Sequence, residues 1–413
     1  MTQIAVIGGG ASGLLAALTA AWQGASVTLF ERNASLGRKL LVTGSGRCNL
    51  SNDKVAANRY TCDDQDWMDT LLSRFGVSEL IEMFNKIGIP TQKSYDGWYY
   101  PQSNSAHSVV EALSYAVREA GVHVQSSSQV INLTNADRGF TVTYFHQANQ
   151  HSQDFDRVIV ASGGKAYPTL GTKGELYPVL SQLGHTINPI RPALAPVLAD
   201  LGPLKSLQGI RLDLGVVLYQ DNTPIAHAAG NMIFTEWGLN GPAVMDISHH
   251  IPEQPGDSMV ISLNLRQFIE ADFTRLLNEK RSSRFPAALL LSAFFPPKVV
   301  QCYLSLAGIS ENAPLVSLDD SSLNALINLL SDSRLKVTGV RGYKYCQASS
   351  GGVPVWEVSP STLESRVLPG LYLTGETLDV VGPCGGFNLH FAFASGALAG
   401  LAAASRPSGK NLA

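Results

Sequence analysis

The chain of 413 residues reads as an α/β protein whose main domain is interrupted by a β-rich insertion and a helical insertion. Three observations carry that reading. A strand, a glycine turn and a helix open the chain; the hydrophobic pattern changes from alternation to a helical repeat in its middle; strands and glycine turns return near its end.

Gly8-x-Gly10-x-x-Gly13, with Ala17, Gly24 and Glu31 behind it, lies between a β-run from Ile4 to Ile7 and a small-residue helix starting near Ser12. A second β-run, Val27 to Phe30, ends on the acid. Gly8 permits a tight turn, Gly10 lets the backbone approach a pyrophosphate on the helix N-terminus, and Gly13 and Ala17 let helix and strand pack closely. Glu31 stands where a carboxylate accepts from ribose hydroxyls. The segment therefore predicts a Rossmann-like dinucleotide-binding domain, with Ala11, Ser12 and Arg32 in the same site; glycines needed only for packing would leave Glu31 unexplained.

Beyond this motif, helical periodicity appears at Leu80, Ile81, Phe84 and Ile87 behind a Ser78 cap, and again at Val109, Val110, Leu113 and Val117. Strand-like runs occur at 123–125, 140–145 and 157–160, the last ending in Ala161-Ser162-Gly163-Gly164. Pro189, Pro192 and Pro196 mark a change of character. Alternation at Ile210, Leu212 and Leu214, the run Val216 to Tyr219, a turn at Asp221 to Pro224 and a run from Met259 to Leu263 predict a small antiparallel sheet or barrel. A helical period then runs through Phe268, Ile269, Phe273, Leu276 and Leu277, and later through Leu323, Leu326, Ile327 and Leu330 behind Asp320 and Ser321. The expected domains are 1–190 with 345–413, a β-barrel over 191–265 with 333–344, and a helical domain over 266–332.

The net charge of −3 excludes a protein that is basic overall, so a polyanion would have to meet a local patch. Five cysteines without a C-x-x-C pattern, and a first strand that begins by Gln3, predict free thiols and a cytoplasmic location without a signal peptide. The apolar stretches at 287–295 and 391–404 read as too short or too rich in small residues to span a bilayer. His249 and His250 lack companion ligands; they read as surface residues, and no metal site is expected.

The terminal segment points to the cofactor. Leu371 to Thr374 followed by Gly375-Glu376, then Gly385-Gly386-Phe387-Asn388, suits an FAD-binding domain of the two-dinucleotide-fold type. There a late strand sets a carboxylate on the ribityl or pyrophosphate region, and the next helix turns its N-terminal amides to the flavin. Longer stretches agree: Gly37-Arg38-Lys39 through Gly44-Ser45-Gly46-Arg47-Cys48-Asn49, Phe234 to Val244, Thr338-Gly339-x-Arg341-Gly342, Ala348-x-x-Gly351-Gly352, and Gly375-Glu376-x-x-Asp379. Together they resemble the BaiN/RdsA-like flavoprotein family, which includes aminoacetone oxidases, bile-acid enone reductases and a ribosomal RNA dihydrouridine synthase.

The resemblance implies an FAD domain with an inserted barrel and helical domain, and an FAD site that includes Gly37, Arg38, Lys39, Ser45, Gly46 and Arg47. Val130, Ser162, Gly163, Gly164, Glu376 and Asp379 belong to the same implied site, as do Gly385, Gly386 and Phe387. Asn49 and Asn388 are expected at the flavin edge, and Cys48 as a proton donor, against a packing role for the thiol. Trp98, Phe387 and His390 depart from the residues usual in the family. No second glycine motif appears, so NADH or NADPH would reach the flavin transiently from its open side.

Two enzymatic readings follow: reduction of a conjugated C=C bond, as in an enone or a uracil of ribosomal RNA, and oxidation of a small amine by O₂. A third is a non-catalytic flavin-bearing RNA-binding factor. Arg275, Lys280, Arg281, Arg284, Lys298, Arg334, Lys336, Arg341 and Lys344 favour RNA, with Trp98, Tyr99 and Tyr100 as a stacking platform for a base.

Overall fold

The computed structural model describes residues 1–136, 138–256 and 258–405, so 406–413 of the expected C-terminal segment lie outside the described residues. It forms two compact units, Met1–Arg191 with the chain from Gln347 onward, and Pro192–Cys346.

The first unit opens with β1 (Gln3–Ile7), α1 (Ala11–Trp22) and β2 (Ser26–Phe30). After a kinked 3-10 loop, Leu40–Gly46, come β3 (Ser51–Asn52), α2 (Gln65–Arg74), α3 (Val77–Ile87), β4 (Thr91–Lys93) and β5 (Trp98–Pro101). Then follow α4 (Ala106–Glu119), β6 (His123–Gln125), β7 (Ser128–Ala136), β8 (Gly139–His146), β9 (Asn149–Phe155), β10 (Arg157–Val160) and α5 (Tyr177–Gln182). Helix α3 starts two residues earlier than a Ser78 cap implies. Gly76 takes the extended N-cap conformation, and its N–H donates to the Glu79 carboxylate at 2.9 Å.

β11 (Asn188–Ala193) carries the chain out, and the second unit is a closed barrel of β12 (Val197–Asp200), β13 (Arg211–Gln220), β14 (Thr223–Phe234), β15 (Gly238–Asn240), β16 (Met259–Asn264) and β17 (Ser333–Val340). Leu214, Val216 and Leu218 of β13 are buried, as the pleat requires of one face. Asp221 and Asn222, with φ of 50° and 62°, make the tight β13–β14 turn. A short α6 (Pro242–Met245) precedes β16; α7 (Glu270–Lys280), α8 (Ala287–Ser292), α9 (Pro297–Leu306) and α10 (Asp320–Ser331) lie between β16 and β17. These helices lie in the same compact unit as the barrel. α10 is capped by Asp319, whose carboxylate accepts from Ser322 N at 2.7 Å, one residue before the expected start.

β18 (Ala348–Gly352) pairs with β11, and β19 (Leu371–Leu373) completes a parallel sheet of order β19-β10-β1-β2-β6. The closing helix α11 (Phe387–Ala404) packs along α1, where Gly396 and Gly400 let its backbone approach Ser12 and Ala16. At 18 residues with a mean hydropathy of 1.3, α11 is long and apolar enough by composition to cross a membrane, contrary to the sequence reading. It is instead mostly buried in the first unit, where Phe393, Ala397 and Ala399 have no exposed surface.

Candidate functional site

In an open parallel sheet, ligands bind outside the carboxyl ends of the strands where the chain reverses its winding. Here that point is β1, flanked by β2 on one side and β10 on the other, and the predicted residues gather at its end. Gly8 has φ of 110°, and a Cβ at Gly13 would collide with the Gly8 carbonyl oxygen, so both need to be glycine. The space over Gly10 is open, so the first turn of α1 presents Ala11, Ser12 and Gly13 amides to it.

Glu31 is buried against this turn. Its carboxylate accepts from Gly9 N at 2.8 Å and from Asn33 N and Nδ2 at 2.8 and 2.6 Å. Arg32 pairs with Glu175 at 2.5 Å, and Arg38 donates to Asn33 Oδ1 at 2.7 Å. Ser128 N donates to the Glu31 carbonyl at 2.8 Å, which sets the start of β7, and the buried Val130, beside the acid.

Gly37 N donates to the Gly9 carbonyl, joining the basic loop to the glycine turn. Within this loop Gly44, Ser45, Gly46 and Cys48 all have positive φ, between 56° and 83°. Two of the four are not glycine, a strained arrangement of the kind held in place at functional sites. Ser45, Gly46 and Arg47 are exposed. Lys39 reaches across to Glu376, 2.6 Å from its carboxylate, and the other Glu376 oxygen accepts from Ser349 N and Oγ, both at 2.8 Å. Ser349 is a site residue that sequence reasoning missed, although it lies inside the Ala348 to Gly352 stretch. Gly164, after Ser162 and Gly163 at the end of β10, packs so closely that a side chain there would meet both Ser349 and Glu376.

The last part of the site is the turn before α11. Gly386, with φ of 97°, packs on the Ser51 carbonyl; Gly385, at 111°, packs on the Trp98 indole and accepts from Asn52 Nδ2 at 2.9 Å. The Phe387 ring is buried edge-on to Tyr60 at 6.0 Å, leaving only its backbone for a ligand.

Several of the implied site residues are held by protein partners. The Asn388 amide bonds Gly382 at both ends, at 2.9 and 2.7 Å. The Asn49 amide, oriented to satisfy its neighbours, donates to the Ser51 and Tyr99 carbonyls and accepts from Gly386 N. Both asparagines therefore shape the backbone around the site through these bonds. The Asp379 carboxylate likewise holds Gly351 N at 2.7 Å and Asn188 Nδ2 at 2.8 Å.

Cys48 has no exposed surface, and burial pushes its thiol up to about 12 while a hydrogen bond with Thr43 opposes that shift. A thiol covered by its own chain packs the strained loop. The aromatic trio is also divided, because side chains alternate along a strand. Trp98 and Tyr100 face the Gly385 turn and the Arg47 loop, where Arg47 lies 4.5 Å from the Tyr100 ring centroid and donates to its hydroxyl at 3.2 Å. Tyr99 lines an open cavity of about 530 Å³ with Asp53, Val77, Ile81, Glu82 and Asn85.

Three of the basic residues expected to meet RNA have protein partners. Arg281 donates to the Leu315 and Leu318 carbonyls at 2.5 and 2.8 Å, Arg275 pairs with Asp272 at 2.8 Å, and Arg334 with Asp332 at 2.9 Å. His249 is no surface residue either: both its ring nitrogens are buried without a partner among the described residues.

The glycine cradle, the buried Glu31, the Lys39–Glu376 pair and the partly exposed glycine turn before α11 fit FAD, and the fold and site define a flavin-dependent oxidoreductase. The HI0933-like protein Rossmann-domain model matches residues 2–402, and the chain belongs to that family. It is 37% identical to the 3-dehydro-bile acid delta(4,6)-reductase of Clostridium scindens, over 98% of this chain and 100% of that protein. It is 30% identical to the ribosomal RNA dihydrouridine synthase of Escherichia coli, over 94% and 95%. Among solved structures, the 3-ketosteroid delta1-dehydrogenase of Sterolibacterium denitrificans shares the fold with a TM-score of 0.51 at 11% identity, covering 98% of this chain and 100% of that one.

Proposed function

We propose that this chain reduces a conjugated C=C bond in a small, largely apolar organic molecule, with FAD as bound cofactor and NADH or NADPH as electron donor. The observation that carries the choice over a uracil in ribosomal RNA is that Arg281 is spent on the Leu315 and Leu318 carbonyls, with Arg275 and Arg334 in surface ion pairs. A nucleic-acid interface needs such side chains free for phosphates. The 37% identity to a bile-acid reductase over the whole of both chains supports the same choice.

Bound FAD supplies the hydride chemistry. The chain's own residues would hold and orient it: the α1 amides and Gly10 would take the pyrophosphate, Glu31 the ribose hydroxyls, and Lys39 with Glu376 the middle of the cofactor. Arg47, exposed and steadied by Tyr100, offers positive charge where a carbonyl oxygen gains negative charge as the conjugated bond is reduced. The overall change is one hydride from the nicotinamide and one proton from solvent added across the double bond.

The test is anaerobic reduction of the yellow holoprotein by NADH and by NADPH, followed by reoxidation with a steroid enone, with ribosomal RNA lacking dihydrouridine, or with O₂. Fast reoxidation by the enone alone supports the reading. Faster reoxidation by RNA or by O₂ replaces it with the RNA reductase or the amine oxidase, and a flavin that no nicotinamide reduces leaves a non-catalytic binding factor.

A further inference from the structure

We propose a second ligand site, in the barrel unit: an oxyanion clamp built on Arg341 that takes the carboxylate of a small organic acid with an apolar body. Arg341 directly follows β17 and Trp237 directly precedes β15, and both strands pair with β12, at Leu198↔Gly339 and Leu198↔Gly238. Arg341 N donates to the Pro196 carbonyl at 2.9 Å, and the Thr235–Gly238 turn closes with a 2.8 Å bond. Neither residue can drift without breaking the barrel ladder.

The guanidinium carbon of Arg341 lies 4.6 Å from the Trp237 ring centroid and 3.4 Å from that of Tyr345. With aromatic rings at its faces, the side chain has only its N–H edge left to bond. Among the described residues no carboxylate pairs with that edge, whereas Arg32, Arg266, Arg275, Arg281 and Arg334 all have one. A planar fork held in place and without a carboxylate partner among the described residues matches a carboxylate bidentately. Tyr345 is 42% exposed and the Trp237 indole is half-buried, so the anion arrives beside an aromatic wall that suits an apolar body. Glu236 is exposed next to Trp237 and the Lys344 ammonium lies 5.7 Å from the Tyr345 ring centroid, so the two flanking charges offset and Arg341 is left to match a single negative charge.

The site does not depend on the flavin reaction, and its test is a binding measurement on the holoprotein. Cholate serves as the probe acid, with its methyl ester, acetate, inorganic phosphate and a short RNA as comparisons. Binding is read by calorimetry and by tryptophan fluorescence. Cholate should bind and change the fluorescence, Trp237→Phe should remove that change, and Arg341→Gln should weaken binding by about tenfold or more, the scale of a charge-assisted hydrogen bond. Arg341→Lys should weaken it as well, because the planar fork is lost although the charge stays. Tyr345→Leu, remote from the backbone ladder, checks that a loss in the arginine variants is not misfolding: it should keep native circular dichroism and FAD content while weakening cholate. Equal affinity for acid and ester, or for the native chain and Arg341→Gln, overturns the proposal. So does binding of acetate or phosphate as tight as cholate, or of RNA through Arg341.

Discussion

At Gly13 sequence and geometry agree on one residue, and the consequence is testable. A carboxylate there collides with the Gly8 carbonyl and repels a pyrophosphate. Gly13→Asp should purify colourless; a yellow variant with stoichiometric FAD would mean that the N-terminal site is wrongly assigned. Cys48 gives the opposite lesson. Its position in the loop was legible, but its burial was not, since a thiol in a glycine-rich loop looks the same in sequence whether it points at substrate or into the core. Cys48→Ala should therefore lower flavin reduction by nicotinamide and reoxidation by substrate to a similar degree, through the loop. A loss confined to the substrate half would restore the thiol as proton donor. Arg47→Gln should act in that half alone, by about a hundredfold, the scale of removing one charge-stabilising donor; rapid-mixing kinetics separates the two halves.

Among the elements, α5 is tied to the return leg of the chain by a buried network. His185 Nδ1 lies 2.6 Å from Glu357 Oε2 and its Nε2 2.9 Å from Ser365 Oγ, while Glu357 also accepts from Thr186 N. Ser365 Oγ already accepts from Val367 N and Leu368 N, so the serine is a turn cap inside the protein and no nucleophile faces a substrate. His185→Ala leaves Glu357 buried without its main partner and should lower stability by about 3 kcal/mol, seen as a lower urea midpoint. In the helical segment the same logic separates two arginines that composition cannot distinguish. Arg281 braces the Leu315–Leu318 turn, whereas Arg284 is exposed. Arg281→Glu should reduce the melting temperature and Arg284→Glu should not, so only the latter is a clean probe of RNA binding.

For the molecule as a whole, acid stability follows from two imidazoles held neutral. Burial lowers His390 to about 4 and His249 to about 3, the latter with help from the neighbouring His250. As pH falls through the unfolded value near 6.5, the unfolded chain takes up these protons first. Stability is therefore full above pH 6.5 and falls until the native imidazoles titrate near 4 and 3. The loss is on the order of 3 kcal/mol for His390 alone. His390→Gln and His249→Gln should flatten the decline between pH 6.5 and 4 in denaturation followed by circular dichroism; an unchanged slope would mean that other groups govern it.

Turn glycines and hydrophobic period are local properties of the backbone, and so the glycine cradle, the alternation that makes the barrel strands and the helical run between them could be read from the chain. The residues at the strand ends, Gly8, Glu31, Gly164 and Gly375, were legible for the same reason. Only the tertiary structure decided which polar groups remain available. Ser349 joined Glu376, Asn49 and Asn388 turned to backbone, Tyr99 parted from Trp98 and Tyr100, and Arg281 closed on its own carbonyls. A hydrogen-bonding side chain takes the nearest unsatisfied group in space, and that group is set by how distant segments pack and not by its neighbours in the chain.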